Sequence, residues 1–253
     1  MILKLVPALF LRCRDFFLMT FAEKVISFFK ELDFNGSLPP GISIMNPFRE
    51  NPEIIPVISK FYTRFYNDNL RRRFIMGINP GRFGAGVTGI PFTDTIRLTE
   101  KCGLSIPGLR TFETSSVFVY EMIDCYGGAE KFYSDFFISS VAPLGFTSVS
   151  KGGRQVNCNY YDSKKLIGAL YGFIVENLAI QLKFGIERDI CFCLGTGQNY
   201  KFLLHLNDEL KLFERIVPLE HPRFIMQYRS KKKQYYIDKY IEEFSKLSVI
   251  DMH

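Results

Sequence analysis

Residues 77–94 read GINPGRFGAGVTGIPFTD, and the fold turns on what this run follows. At its start, Arg73–Ile78 is short, apolar and rich in large side chains, the composition of a buried strand. The chain then places Asn79 and Pro80, and spends five glycines between positions 77 and 89. Pro80 fixes its own φ and drives Asn79 to an extended conformation. Gly81 permits positive φ or a close backbone approach. A strand that ends this way holds one asparagine rigidly at its carboxyl end.

Three more runs have strand character: Phe136–Ala142 (FFISSVA), Asp189–Leu194 (DICFCL) and Arg215–Leu219 (RIVPL). Helical patterns lie between them. These are Glu53–Asn69 with Pro56 near its first turn, Thr95–Cys102 closed by Gly103, Ser115–Gly128 with a two-glycine stop, Lys164–Leu182 capped by Asp162 or Ser163, Asn199–Phe213, and Gln234–Lys246. The alternation predicts an α/β protein: a three-layer α/β/α arrangement with a short, mostly parallel four-stranded central sheet. In such sheets ligands bind beyond the carboxyl ends of the strands. The four tips carry NPGRFGAG, PLGF followed by KGGRQVNCNYYD, GTGQN, and EHPRFIMQYR. Each reads equally as an ordinary turn; together they predict one convergent site.

The 253 residues are 47% apolar and suit a single domain over 19–253. Its first helix is marked by Thr20 and Glu23 at capping-box spacing and by a stripe of Phe21, Val25, Phe28, Phe29 and Leu32. Residues 1–18 read as an extension, a floppy leader or a start-site artefact. Lys4, Arg12, Arg14 and Asp15 interrupt its apolar run, so no membrane association is expected. The formal net charge of +6 suits a polyanionic partner without demanding one. Six cysteines form no CxxC pair and read as core thiols. Histidines are few and isolated and carboxylates do not cluster, so neither metal nor cofactor is expected. Of the three histidines, His205 reads as a helix residue and His253 is the last in the chain, which leaves His221.

The side chains at two tips carry the chemistry. The carbonyl of Asn79 can orient a water and its amide can donate to a base or sugar, but it cannot take up a proton. Its plainer reading is a turn cap. His221 directly follows a strand, and Pro222 stiffens the exit. A neutral imidazole donates one N–H to a developing anion. Arg223, Arg229 and the Lys231–Lys233 run can meet phosphates, and Phe224–Met226 offers apolar bulk for a base stack. LGTGQN, residues 194–199, resembles a nucleotide-binding junction but lacks the third glycine, so it reads as a turn and helix cap. Asp94 reads first as the N-cap of the helix from Thr95.

GINPGRFGAGVTGIPF resembles motif 1 of the uracil-DNA glycosylase superfamily, and is most similar to the version in single-strand-selective monofunctional uracil-DNA glycosylases. EHPR resembles the second motif of that superfamily and FISSVAPLGF a middle segment, so the resemblance runs from about Arg73 to Arg229. It implies that Asn79 positions the attacking water, His221 stabilises charge on the departing base, and Phe92 stacks on the flipped base. It implies a base pocket of Gly77, Ile78, Gly81, Phe83, Phe92 and Ser140, and a DNA-entering segment with Pro222, Arg223, Arg229 and Lys231. Three departures mark a divergent subfamily. Ser140 stands where the family has an asparagine that reads uracil; Arg82 and Thr93 replace a proline and a glycine; the second motif lacks its Ser-Pro step.

The expected function is a monofunctional DNA glycosylase that excises uracil or related deaminated or oxidised bases, xanthine among them, in base excision repair. It would act as a cytoplasmic monomer, nucleoid-associated in a bacterium, with DNA as its partner. Two rivals stay open: a nucleic-acid binder of the same fold that has lost its chemistry, and a Rossmann-like enzyme using LGTGQN.

Overall fold

The computed structural model describes residue 16 and residues 18–246, so the expected extension lies almost wholly outside the described residues, as does His253. In chain order the elements are α1 (Phe21–Glu31), β1 (Ile42–Met45), α2 (Pro47–Glu50), α3 (Ile54–Tyr66), β2 (Arg72–Gly77), α4 (Ala85–Thr88), α5 (Thr95–Cys102), α6 (Thr114–Tyr126), α7 (Ala129–Asp135), β3 (Phe136–Ser140), β4 (Gly145–Val149), β5 (Gln155–Cys158), α8 (Lys164–Gln181), β6 (Ile186–Leu194), α9 (Gln198–Leu210), β7 (Arg215–Leu219), α10 (Pro222–Tyr228) and α11 (Lys233–Ser245). Four strands form a parallel sheet in the order β3-β2-β6-β7, flanked by helices, as the alternation of patterns predicts. From β2 the chain moves outward to β3, then returns to the other side for β6 and β7. The carboxyl end of β2 therefore lies at the point where strand order reverses, the usual place for a ligand crevice in open α/β sheets.

Local signals hold where they are strongest. Thr20 Oγ1 accepts from the Glu23 amide while the Glu23 carboxylate accepts from the Thr20 amide, a complete capping box. Phe21, Val25, Phe28, Phe29 and Leu32 are all buried. Ser163 caps α8 through the Leu166 amide, and Gly103 closes α5 at φ 65°. The run Lys164–Phe184 is long and apolar enough to span a bilayer, and its Leu166, Leu170, Ile174 and Leu178 pack into the core.

That core is aromatic. Phe244 of α11 lies 4.6 Å from Phe136 and 4.8 Å from Phe192, tying the last helix to β3 and β6. Offset and edge-on pairs of this kind each add about 0.5–1.5 kcal/mol beyond area burial. At the start of β2 the fully buried guanidinium of Arg72 makes two bonds to the Asp68 carboxylate, at 2.8 and 2.9 Å, and donates to the Tyr133 and Leu70 carbonyls. The rings of Phe21 and Tyr66 lie against it at 4.7 and 4.8 Å. A buried charge is tolerable because its donors are met and its faces are covered.

The structure adds what periodicity did not predict. Residues 145–158, expected as loop, form two strands of a second, antiparallel sheet in the order β1-β4-β5. Ile42 pairs with Ser148, across more than a hundred residues. These strands are four or five residues long and β5 is largely exposed, so neither length nor alternation marks them. The EHPRFIMQYR tip also differs from expectation: Pro222–Tyr228 is helical.

Candidate active site

Asn79 leaves β2 as predicted, and the small sheet holds it. Its amide donates to the Cys158 carbonyl at 3.2 Å, and its side-chain carbonyl accepts from the Tyr160 amide at 3.1 Å. Asn157 beside them accepts from the Arg82 amide at 3.1 Å, so β5 clamps both sides of the Asn-Pro-Gly turn. Asn199, at the third tip, braces the same corner from below. It is buried, donates to the Leu194 carbonyl and accepts from the Tyr160 hydroxyl at 2.8 Å. The GTGQN tip thus contributes a brace, and does not line the cavity that the other tips form.

Phe92 is positioned by a strained loop. Its φ is 52°, a left-handed value that costs a bulky residue on the order of 1 kcal/mol or more. Thr88 pays for it: its hydroxyl accepts from the Ile90 amide and donates to the Thr93 carbonyl at 2.6 Å, closing the loop around Pro91 and Phe92. The ring is carried over Gly77, where a Cβ would meet it at 3.0 Å, and lies 5.7 Å from the His221 ring. Glycine at 77 thus lets the ring seat against the end of β2.

His221 caps α10. Its Nδ1 accepts from the Arg223 amide at 3.1 Å, which in the neutral ring leaves the proton on Nε2. Burial, with the Arg223 charge as a smaller cause, lowers its pKa to about 4. The imidazole is therefore a neutral N–H donor near pH 7.

Asn79, Phe92 and His221 face one cavity of about 240 Å³. Of the other predicted pocket residues, Ile78, Gly81 and Ser140 line it, and Arg223 reaches it from α10. Gly77 lies behind Phe92. Phe83 lies outside: its ring is half exposed, with the Arg82 guanidinium 4.5 Å above it, and it faces an adjoining hollow. The expected apolar wedge needs correction as well. Ile225 is buried in the core and Met226 partly so, because the helix turns them inward; Phe224 and Tyr228 are the exposed pair and line the cavity mouth. Pro222 is buried in the first turn of α10, whereas Arg229 and Lys231 are exposed beyond the cavity. Asp94 is the N-cap that the sequence implied, accepting from the Arg97 amide at 2.8 Å.

Sequence reasoning missed Glu113. It is the sole carboxylate lining the cavity among the described residues. Its carboxylate sits against the glycine loop: a Cβ on Gly84 would come within 2.2 Å of it, and one on Gly81 within 2.7 Å. Burial raises its pKa to about 7, opposed by the Ser116 hydroxyl and the Arg223 charge and assisted by Asp94. The spaced glycines were the available signal, since such a run leaves room for something to come close.

A model of the uracil DNA glycosylase superfamily matches residues 63–245. Among solved structures, the crystal structure of wild-type Pedobacter heparinus SMUG2 is similar, with 57% sequence identity and a TM-score of 0.89 over 91% of this chain and 99% of that one. No curated protein matches the chain. The family match runs from within α3 to the last residue of α11 and takes in the central sheet and both tips that meet in the cavity. By that match, and by the fold it shares with SMUG2, the chain belongs to the uracil DNA glycosylase superfamily.

Proposed function

We propose that this protein is a monofunctional DNA glycosylase that flips uracil or a related deaminated or oxidised base out of DNA and hydrolyses its N-glycosidic bond, the first step of base excision repair. The observation that carries this reading is the meeting of Asn79 and His221 in one cavity of about 240 Å³ beside the Phe92 ring. Flipping costs a few kcal/mol and is cheapest at mismatched or single-stranded positions. The flipped base stacks on Phe92. As the carbon–nitrogen bond breaks, its electron pair leaves with the base, and the Nε2–H of His221 donates to the anion that develops. A water oriented by the locked carbonyl of Asn79 bonds through its oxygen to the sugar carbon, and its proton passes to solvent or to the base. No lysine lines the cavity among the described residues, so hydrolysis proceeds without a Schiff base. Ser140 offers a short hydroxyl, one donor and two acceptors, and so does not impose the pattern of uracil alone. A deaminated purine such as xanthine falls within the proposed range. The protein acts on DNA as a monomer in the cytoplasm.

The test uses labelled single-stranded oligonucleotides carrying uracil, hydroxymethyluracil, hypoxanthine or xanthine, followed by alkaline cleavage of abasic sites. At least one should be cut. His221→Ala should lower the single-turnover rate by about 10²–10³ while the protein still folds, the loss typical of one donor aimed at an oxyanion. Absence of cut strands on every substrate, or a His221→Ala rate equal to wild type, rules the reading out.

A further inference from the structure

We propose that the hollow beside the candidate active site is a subsite for the nucleotide next to the excised one in the same DNA strand. The proposal rests on the glycosylase reading for the identity of the strand, and adds a place where its neighbour is held. The hollow has a volume of about 330 Å³ and shares a wall with the first cavity: Glu113, Ser115, Asn157 and Arg223 line both. The common wall sets the hollows side by side, the arrangement that neighbouring nucleotides of one strand need.

Its far side is built for a base. Phe83 and Phe112 are 45% and 53% exposed, in a protein that buries most of its phenylalanines, and Val156 between the chain segments is 40% exposed. Each ring carries a guanidinium: Arg82 lies 4.5 Å from Phe83, and Arg97, ion-paired to Asp94 at 3.5 Å, lies 5.0 Å from Phe112. Exposed aromatic faces beside cations are the elements of a single-strand platform, on which bases stack and phosphates find a positive charge. Arg223, exposed and common to both hollows, stands where the phosphate between the two nucleotides would pass. Glu113, the one acidic side chain in the wall, has its pKa raised to about 7 by burial, so its charge is only partly developed near neutral pH, and Arg223 stands beside it. Asn157 adds an amide able to meet a base edge.

The experiment measures equilibrium binding of fluorescent single strands that carry one uracil, with the 5′ or the 3′ neighbour intact or replaced by a tetrahydrofuran spacer that has no base. Wild-type protein should bind about 5- to 150-fold more weakly when the base on one side is missing, the scale of one base–aromatic stack. Phe112→Ala should weaken the intact strand to a similar extent and leave the affinity for that spacer strand unchanged; Phe112→Trp, which keeps a stacking face, should restore it. Phe112 is on the surface, so an unchanged Tm serves as the folding control. The proposal is overturned if neither spacer weakens wild-type binding, if Phe112→Ala weakens all strands equally, or if no strand binds. Strands that bind with the expected neighbour dependence yet are never cut would sink the glycosylase reading and leave the subsite standing.

Discussion

At the scale of the residue, two titratable groups in the cavity are displaced in opposite senses, and each makes stability depend on pH. Burial holds the pKa of Glu113 at about 7, against 4.5 for a free side chain. Between those values the folded protein keeps a proton that the unfolded chain has released. The contribution is complete below about pH 4.5 and is lost as pH rises through about 7. Glu113→Gln removes this titration at nearly constant shape. Its Tm relative to wild type should therefore rise from about pH 5 to about pH 8; a difference that stays constant would contradict the burial of this carboxylate. For His221 the lowered pKa, about 4 against 6.5, works the other way: stability is lost as pH falls through that window, since the unfolded chain takes up the proton first.

At the scale of the element, Asp94 joins two helices. One oxygen accepts from the Arg97 amide in the first turn of α5, the other from the Glu113 amide at the start of α6, at 2.7 Å. The carboxylate is fully buried and ion-paired with Arg97. A typical cap is worth ~1 kcal/mol, and a buried backbone N–H left without a partner costs ~1–3 kcal/mol more. Asp94→Ala should lower unfolding stability by ~2–4 kcal/mol in a denaturant titration, with Asp94→Asn recovering part of the loss. A cost within ~0.5 kcal/mol, the usual range for surface changes, would show that the two helix starts do not depend on this residue. Because Glu113 and Ser115 follow directly, the same link sets where the cavity wall begins.

At the scale of the whole molecule, the net charge of +6 is small, but Arg82 and Arg223 stand in the walls of the two hollows. Binding to a single strand should weaken linearly in log–log salt titrations, with a slope of about −0.7 for each phosphate neutralised. Arg223→Gln should make that slope shallower by about 0.7, uniformly across strand sequences; an unchanged slope would remove Arg223 from the phosphate path. Beneath this surface, Arg72 is a charge of another kind, spent wholly on holding β2, the connection that leads into it from α3, and α7 together. Arg72→Leu should cost on the order of 3 kcal/mol, read as a drop in Tm, since the Tyr133 and Leu70 carbonyls lose their donor.

What local sequence determines here is whatever depends on neighbours along the chain. Arg215–Leu219 is a strand as read, the Thr20–Glu23 box and the Asp94 cap form as spaced, and Asn-Pro-Gly turns sharply at the carboxyl end of β2 because Pro80 leaves it little choice. The long motif around Asn79 and the short one at His221 identified the two residues that meet. Tertiary structure alone decided the small sheet, whose strands are too short to show a period and in which β1 and β4 pair across a hundred residues. That sheet supplies the carbonyl and amide that lock Asn79. Tertiary structure also turned Ile225 inward and Phe224 outward, and brought the Glu113 carboxylate against the glycine loop. Hydrogen bonds and desolvation act across space, so the chemistry of these side chains came into being only when distant segments closed around them.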